Sequence, residues 1–361
     1  MGICEEEKVE VSDDSETEAL IPGLPDEIAE QCLVHLPFPS QTLARSVSRS
    51  WKKAFSNSNF LQSKKSLSLS LPYLFVHVFH KSTGHTRWQA FDPRSRNWFP
   101  LPPMPCSSKF SAPGSLATAA LPREGRLFVL GGACADNLSP LRTLVSYHAP
   151  SNSWSLASPM RIPRAFFAAG SIGGRIIAAG GDPAASAECY DPVQNRWWQV
   201  SGMRAGIPRY DAATVGSKLY ITEGWWWPFT FPPRGAVYDA EADRWEEMPG
   251  GMCEGWTGAG VVLEERLFVI REHADRRLKV YEPKKDTWRE VSGEGLPREV
   301  RRPYTVTRAE GRIYAAGSGP DVAVGSVAED GRGGWKVEWD VVEGPAEFED
   351  FAPTNCEVLY A

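Results

Sequence analysis

The feature of this sequence that most constrains its fold is a short phrase that recurs along the chain. Each copy begins with an aromatic residue, continues with an acidic or polar residue and often a proline, and ends with a tryptophan seven positions after the aromatic. The five copies are FDPRSRNW (91–98), YHAPSNSW (147–154), YDPVQNRW (190–197), YDAEADRW (238–245) and YEPKKDTW (281–288). The tryptophans recur at intervals of 43 to 56 residues, a spacing that is typical of repeat architectures. We therefore interpret most of the 361 residues as one repeat array.

A second landmark is a short apolar segment that usually ends in glycine. Its copies are RLFVLGG (126–132), RIIAAGG (175–181), KLYITEG (218–224), RLFVIRE (266–272) and RIYAAGS (312–318). Unbroken apolar segments this short are typical of strands buried on both faces. Another apolar segment precedes each one, and a two-residue turn separates the two at 124–125, 173–174, 216–217, 264–265 and 310–311. These pairs are predicted hairpins, although Glu264-Glu265 lacks the glycine or serine of the other turns.

Each repeat therefore contains four predicted antiparallel strands. Two form the hairpin, a third ends in the aromatic residue of the phrase, and a fourth carries the tryptophan. Four antiparallel strands per repeat make one blade of a β-propeller.

The two ends of the array predict how the ring closes. The first blade begins at PYLFVHVF (72–79), which corresponds to the second strand of the other blades. The chain ends in CEVLYA (356–361), which follows a sixth blade that runs through WKVEWDVV (335–342). We expect residues 354–361 to supply the missing strand, so that six blades close without a free sheet edge. The SLSLSL segment (66–71) is the alternative donor of that strand.

Charge is unevenly distributed along the sequence. Residues 1–18 carry eight acidic side chains and one lysine, so we expect residues 1–19 to be disordered. The remainder is nearly neutral, which argues against binding to nucleic acid or to an anionic membrane. No apolar run approaches the length of a membrane span. Glu6 stands where an N-myristoylation motif requires serine or threonine, so lipidation of Gly2 is not expected.

The seven cysteines are odd in number, scattered, and never form a C-x-x-C pair. This pattern favours a reduced, intracellular protein, in the nucleus, the cytoplasm or both.

Residues 20–61 differ from the rest of the chain in predicting helices. A first helix in LPDEIAEQCLVHLP would begin after Pro25, end at Pro37, and share one face among Ile28, Cys32, Leu33 and Leu36. A second would carry Leu43, Val47, Trp51 and Phe55 at intervals of four. So few short helices bury little apolar surface among themselves. We therefore interpret this segment as half of an interface, joined to the array by a linker at 62–71.

The same segment resembles the F-box motif, which combines Leu-Pro, an acidic first turn, Leu-x-x-Leu-Pro and Val-Ser-x-x-Trp. The matching positions are Leu24, Pro25, Leu33, Leu36, Pro37, Val47, Ser48, Trp51, Phe55 and Phe60. The alternative is a generic helical hairpin. From residue 72 to residue 361 the repeats resemble the kelch repeat, whose glycine pair is present at 131–132 and 180–181 and altered in the later copies. The expected fold is mainly β, a six-bladed kelch propeller preceded by a small helical F-box domain.

This combination resembles the plant F-box/kelch family of substrate receptors. The resemblance implies a subunit of a Skp–cullin–F-box ubiquitin ligase, with a Skp-type adaptor, cullin and a target protein as partners, and with a role in light signalling. The side chains expected to dock on the adaptor are Leu24, Pro25, Ile28, Leu33, Leu36, Pro37, Val47 and Trp51. A kelch scaffold that binds a partner without ubiquitin transfer is the main alternative.

Target binding is expected where the repeats differ. Basic and aromatic links between blades should meet at one end of the propeller and bring together Arg164, Arg209, Tyr210, Trp256, Arg302 and Tyr304. The loop at 224–235 adds aromatic side chains typical of interface hot spots, namely Trp225, Trp226, Trp227 and Phe229. This loop could instead pack on the propeller, and the arginines could pin loops through backbone carbonyls. The tryptophans of the repeated phrase are expected in the core.

We expect no catalytic residues, no metal and no cofactor. His77 and His80 lie three apart on a predicted strand and so face opposite sides of it. Neither a nucleophile elbow nor a phosphate-binding glycine loop occurs in the sequence. A copper-radical oxidase of the kelch type is the remaining enzymatic alternative.

Overall fold

The computed structural model describes residues 19–105, 114–181, 185–204, 207, 211–223, 233–272, 275–331 and 333–361. The chain divides into two compact units, one up to Leu69 and one from Ser70 to Ala361. Among the described residues, no helix is both long enough and apolar enough to cross a membrane. The expected acidic segment 1–19 lies outside these residues except for Ala19. Arg209, Tyr210 and the tryptophan loop at 224–232 also lie outside them.

The first unit contains four helices. They are α1 (Asp26–Val34), α2 (Phe38–Ala44), α3 (Arg49–Ser56) and α4 (Ser58–Ser66). Its main hydrophobic cluster contains the buried residues Leu33, Val34, Ala44, Phe55 and Phe60. Because α4 continues to Ser66, part of the expected linker is helical.

Prolines begin the first two helices. The carbonyl of Pro25 accepts hydrogen bonds from the amides of Ile28 and Ala29, and that of Pro37 accepts one from Gln41. A proline fits there because its fixed φ suits the start of a helix and its missing N–H would have no partner within the helix.

The expected second helix is in fact two, α2 and α3, and this corrects the helical prediction. The chain turns between them because Ser48 caps α3 by accepting a hydrogen bond from the amide of Trp51. As a result Leu43 and Val47 are exposed, whereas Phe55 is buried.

The buried face of α1 also differs from the predicted one. Ala29, Leu33 and Val34 are buried, whereas Ile28 and Cys32 are exposed. The apolar side chain of Ile28 is therefore left for another surface.

In its described residues the second unit contains 25 strands and one short α-helix. In chain order the strands are β1 (Pro72–His80), β2 (Thr86–Asp92), β3 (Asn97–Pro100), β4 (Leu116–Leu121), β5 (Arg126–Gly131), β6 (Leu144–His148), β7 (Ser153–Leu156), β8 (Ala168–Ile172), β9 (Arg175–Ala179), β10 (Ala187–Asp191), β11 (Arg196–Val200), β12 (Asp211–Val215), β13 (Lys218–Thr222), β14 (Gly235–Asp239), β15 (Arg244–Glu247), β16 (Gly258–Leu263), β17 (Arg266–Arg271), β18 (Leu278–Glu282), β19 (Thr287–Glu290), β20 (Ser292–Gly293), β21 (Arg301–Ala309), β22 (Arg312–Ser318), β23 (Val322–Glu329), β24 (Trp335–Val342) and β25 (Phe351–Tyr360). Helix α5 (Gly250–Gly255) lies between β15 and β16.

These strands form six sheets, and each sheet is one blade. Blades 2 to 5 each contain four consecutive strands, starting with β4, β8, β12 and β16. Blade 6 contains β21 to β24, with β20 paired in parallel to β24. The first strands of neighbouring blades contact one another around a ring that β25 completes. The expected mainly β fold, a six-bladed propeller after a small helical domain, is confirmed.

Blade 1 combines the two ends of the second unit. Strand β25 pairs antiparallel with β1, from Pro72 opposite Tyr360 to His80 opposite Phe351. Leu71 and Ala361 exchange two further backbone hydrogen bonds. The strand begins three residues before the expected segment, and the alternative donor at 66–71 does not take this position.

The repeated phrase holds the blades together. In four copies the tyrosine hydroxyl donates to the side chain five positions later, as from Tyr190 to Asn195 at 2.8 Å. The tryptophan indole donates to a backbone carbonyl of the preceding link, as from Trp197 to Ser158 at 2.8 Å. The phrase is therefore framework, with each tryptophan packed against the aromatic ring of its own copy.

One hairpin turn differs from its prediction. The turn that we placed at 124–125 is a four-residue loop in which residues 122–124 form a 3-10 helix and Gly125 has φ of 63°. Proline at the start of this loop fixes its first residue and favours the longer connection.

Candidate functional site

Two surfaces are candidate binding sites: one has exposed apolar side chains, and the other is an open channel. The first is on the helical unit, where five large apolar side chains are exposed among the described residues. Four of them precede α3, and the fifth, Leu67, follows α4. Leu24 is 39% exposed, Ile28 51%, Leu43 75% and Val47 63%. They are four of the nine large apolar side chains exposed in the described part of the chain, although the unit is its smaller part. Concentrated apolar exposure of this kind marks an interaction surface.

Polar contacts hold the segments that present these side chains. The indole of Trp51 donates to the carbonyl of Leu20, whose own amide donates to Asp26. The segment before α1 is thereby fixed to α3. Arg45 donates to the carbonyl of Phe55 and to the hydroxyl of Ser56, which fixes the turn that carries Val47. We name Leu24, Ile28, Leu43 and Val47 the apolar face of the helical unit.

The second surface is the central channel of the propeller. A cavity of about 690 Å³ runs between the first strands of the blades. Small and hydroxyl side chains leave this space open, among them Thr118, Ala169, Ser171, Ala213, Thr214, Ala259, Thr305 and Thr354.

A polar network crosses the channel wall at blade 1. The hydroxyl of Thr118 donates to Glu357 at 2.8 Å, and the amide nitrogen of Asn355 lies 3.4 Å from the same hydroxyl. Behind them His77 is bonded through Nδ1 to the hydroxyl of Thr354 at 2.7 Å. Burial lowers the pKa of His77 to about 4, so the imidazole is neutral at physiological pH.

Charged side chains surround one mouth of the channel. Asp211, Glu272, Arg302 and Tyr304 line it. Arg302 is exposed, whereas Tyr304 is half-buried, and burial raises the pKa of its hydroxyl to about 12. The guanidinium of Arg276 lies 5.2 Å from the ring centre of Tyr304. This mouth offers both charges and an aromatic ring to a partner.

Comparison with known proteins shows the family of the chain. Residues 21–63 match the F-box domain and residues 163–204 match the Kelch motif. The chain is 47% identical over 354 residues to F-box protein AFR of Arabidopsis thaliana, covering 96% of this chain and 94% of that protein. A second Arabidopsis thaliana protein, named an F-box/kelch-repeat protein, is 39% identical over 350 residues, covering 95% and 87%. The chain belongs to the F-box/kelch-repeat family.

The eight residues expected at the adaptor surface of this F-box divide into three groups. Leu24, Pro25, Ile28, Pro37 and Val47 are exposed, Leu36 and Trp51 are half-buried, and Leu33 is buried. The last three pack in the F-box core and support the surface from within. Leu43, the most exposed of the apolar side chains, was missed because its spacing of four from Val47 suggested a buried helical face.

Arg164 does not lie on the rim of the kelch propeller. The residue is fully buried, and its guanidinium donates to the carbonyls of Gly180 and Ser186 and lies 3.5 Å from Glu188. Glu188 in turn accepts hydrogen bonds from the amides of Arg161 and Ile162. Arg164 therefore pins the link between blades 2 and 3, which is the alternative left open by the sequence.

Trp256 is also a core residue. It is fully buried, and its indole donates to Asp211 at 3.0 Å. Of the ten residues expected at the target-binding site, the structure brings Arg302 and Tyr304 together at the channel mouth. The remaining six, which are Arg209, Tyr210, Trp225, Trp226, Trp227 and Phe229, lie outside the described residues.

Within the described ranges, no group of three or more histidine, cysteine, aspartate or glutamate side chains is arranged to hold a metal ion. His77 is buried between blades and His80 hydrogen-bonds to Ser82. The two histidines do not share a site.

Proposed function

We propose that this chain is the substrate-recognition subunit of a Skp–cullin–F-box ubiquitin ligase. The observation that carries the proposal is the apolar face of the helical unit. Its four side chains are exposed although they belong to a small unit, whose described hydrophobic cluster has five buried residues. A Skp-type adaptor that covers them would complete the small core and connect the chain to cullin.

The kelch propeller would hold the target protein. The family and the division into two compact units support a separation of tasks, with adaptor binding in the F-box and target binding at the channel mouth. The receptor itself would form no bond. By holding the target near a loaded ubiquitin-conjugating enzyme, it raises the effective concentration at which a target lysine meets the ubiquitin.

Two finer parts of this proposal rest on sequence resemblance. One is an intracellular location, in the nucleus or the cytoplasm, which the scattered, odd-numbered cysteines also favour. The other is a role in light signalling, for which the lifetime of a captured target in far-red light and in darkness is the test. A lifetime that does not depend on light would contradict that role.

The adaptor interface is tested with Ile28→Lys combined with Val47→Lys in the full chain. Each substitution places a charge where an apolar side chain would be buried, so we expect affinity for a purified Skp-type adaptor to fall about 100-fold or more. The matched control is Leu67→Lys, at a side chain of the same unit that is 47% exposed and outside the apolar face.

The control should bind the adaptor as the wild type does, and all three proteins should melt at similar temperatures because the changed residues are exposed. Adaptor binding that survives the double substitution would overturn the assignment.

The half-life of the bound target distinguishes a ubiquitin-ligase receptor from the scaffold alternative. A ubiquitin-ligase receptor that has lost its adaptor should protect its target, because the target is still bound but no longer modified. The half-life of proteins captured by the double variant should therefore lengthen relative to the wild type. An unchanged half-life favours the scaffold.

A further inference from the structure

Two apolar residues of the propeller have an unusual backbone conformation. Among the described residues, twelve that are not glycine have positive φ, and ten of these are polar or charged. The other two are Leu138, with φ of 58°, and Phe166, with φ of 52°. A bulky side chain is disfavoured there because its Cβ crowds the following carbonyl. Strain of this kind persists where the surroundings impose it, and it concentrates at binding sites.

Core packing does not account for this strain. Leu138 is 66% exposed and Phe166 is 51% exposed. A buried side chain could offset an unfavourable backbone conformation, because its removal from water is favourable. Leu138 and Phe166 instead keep half or more of their surface in solvent.

The two residues lie at the same end of the propeller. Leu138 is in the loop between β5 and β6, and Phe166 is in the link between β7 and β8. Because β5 and β7 run in the same direction, both connections leave the blade at one end. The backbones of the two connections are also joined, since the amide of Arg164 donates to the carbonyl of Leu141 at 2.9 Å.

Hydrogen bonds hold the backbone at both residues. The amide of Phe166 donates to the carbonyl of Ser115 at 2.8 Å, and the buried side chain of Arg164 anchors the same link. The amide of Leu138 donates to the carbonyl of Cys134 at 3.0 Å, and Asn137 accepts a bond from the amide of Ser139. Rigid apolar groups of this kind bind partners with little loss of conformational entropy.

The exposed charges of these two connections are mainly positive. Arg142 and Arg161 are exposed cations, and Asp136 is the one exposed acidic side chain of these segments. The third cation, Arg164, is buried against Glu188. A partner with negative charge beside its apolar group would therefore be favoured.

We propose that Leu138 and Phe166, with Arg142 and Arg161, form a docking site for a segment of the target protein. The segment carries a bulky apolar side chain flanked by acidic residues. We name these four residues the blade 2 docking site. This proposal rests on the proposed function, because the occupant is the protein that the receptor presents to the ligase.

The probe is a library of random peptides displayed on phage and selected against the purified full chain. Enriched peptides should share a bulky apolar residue with acidic neighbours. Their dissociation constants are then measured by fluorescence anisotropy for the wild type, Leu138→Gly, Phe166→Gly and Arg161→Glu. We expect each substitution to weaken binding about tenfold or more.

The matched control is Val193→Gly. Val193 is 91% exposed and lies in the turn between β10 and β11, at the opposite end of the propeller. This variant should bind the peptides as the wild type does. A glycine at 166 or 138 adopts the left-handed conformation without strain, so the melting temperatures of those two variants should stay equal to that of the wild type or rise.

Three results would overturn the docking site. These are an absence of enriched peptides, peptide binding that is unchanged in Phe166→Gly and Leu138→Gly, and a fall of several degrees in the melting temperature of Phe166→Gly. Self-association of the wild type that Phe166→Gly abolishes would assign the surface to a second copy of the chain and also contradict the proposal. Adaptor affinity measured on the same preparations tests the ligase function separately, because the apolar face of the F-box is left intact.

Discussion

The hydroxyl of Tyr238 donates a hydrogen bond to Oδ1 of Asp243 at 2.9 Å, and the same oxygen accepts one from the amide of Ser201 in the preceding link. One side-chain oxygen thus joins the third strand of blade 4 to the connection that enters it. Asn195 occupies the equivalent place in blade 3 and accepts the same two kinds of bond, from Tyr190 and from Ser158. The repeat therefore uses a charged and a neutral side chain for one task.

This difference predicts an acid dependence in blade 4 that blade 3 lacks. Hydrogen bonds from the Ser201 amide and the Tyr238 hydroxyl hold the pKa of Asp243 below its usual range. A carboxyl with a lowered pKa in the folded state stabilises the fold above its unfolded pKa of about 3.9, and that contribution is lost as the pH falls through the folded pKa. Asp243→Asn should therefore leave stability nearly unchanged at pH 7 and reduce its decline below about pH 4.

Denaturant unfolding at a series of pH values checks this. Asp243→Ala is the contrasting variant, since it removes the acceptor of both bonds, and it should cost about 1–2 kcal/mol at pH 7. A decline with acid that is identical in wild type and Asp243→Asn would contradict the prediction.

The framework of the propeller could be predicted from the sequence because each copy of the phrase makes its hydrogen bonds within its own blade or with the link that enters that blade. Tyr190 and Asn195 are five residues apart, and Trp197 reaches the link that enters its own blade. Such a contact repeats wherever its residues repeat. Five of the six blades follow from it. The tryptophans pack against the blades as framework, but the expectation that they lie in the core holds fully only for Trp197, since the other four are half-buried.

Contacts between distant segments limited the prediction of the sites. Arg164 resembled a rim arginine because Glu188, which neutralises it, lies in a later strand. Leu43 was missed at the adaptor surface because its spacing of four from Val47, Trp51 and Phe55 predicted one helix, whereas the cap at Ser48 begins a separate one. The positive φ of Phe166 leaves no mark in the sequence, because the surrounding loops and not the residue type impose it.

Trp197 should contribute strongly to stability. Its indole donates to the carbonyl of Ser158, and its ring lies 5.0 Å from that of Tyr190. Trp197→Phe keeps an aromatic ring but leaves the carbonyl of the half-buried Ser158 without this donor, so we expect a loss of about 1–3 kcal/mol in chemical unfolding. Trp198→Phe is the matched control, because the neighbouring indole is half-buried and stacks with Arg175, and it should cost less. Equal losses at the two positions would contradict this ranking.

Removal of residues 354–361 should open the ring. Most of β25 is lost with them, including the buried side chains of Cys356, Val358 and Leu359, and β1 becomes an unpaired edge. We expect a lower melting temperature and aggregation, since exposed edges recruit other strands. Light scattering and thermal unfolding check both effects. A truncated chain that melts and remains monomeric as the full chain does would show that β25 does not close the ring.

The cysteines should differ sharply in reactivity. Burial raises the pKa of Cys189 to about 12 and that of Cys253 to about 11, whereas Cys32 is exposed on α1. Because the thiolate is the reactive form, Cys32 should be alkylated before Cys189 and Cys253 at pH 7.5, and the latter two should react only when the propeller unfolds. Mass spectrometry of the chain after a short treatment with iodoacetamide, with and without denaturant, measures this order. Early modification of Cys189 in the folded chain would contradict the buried placement.

A substitution in the turn between β16 and β17 should raise the stability of the fold. Glu264 and Glu265 both have positive φ, of 49° and 58°, in a two-residue turn where glycine or asparagine is usual. Glu265 is retained by a hydrogen bond that its carboxylate accepts from the amide of Gly216 in the neighbouring blade. Glu264→Asn changes the other residue to one that tolerates this conformation and should raise stability by about 0.5–1 kcal/mol.

Glu265→Asn is the control, because it eases the same strain but shortens the side chain that reaches Gly216, and it should gain less. Thermal and chemical unfolding of the two variants measure the difference, and a destabilised Glu264→Asn would mean that its backbone conformation is not a cost to the fold.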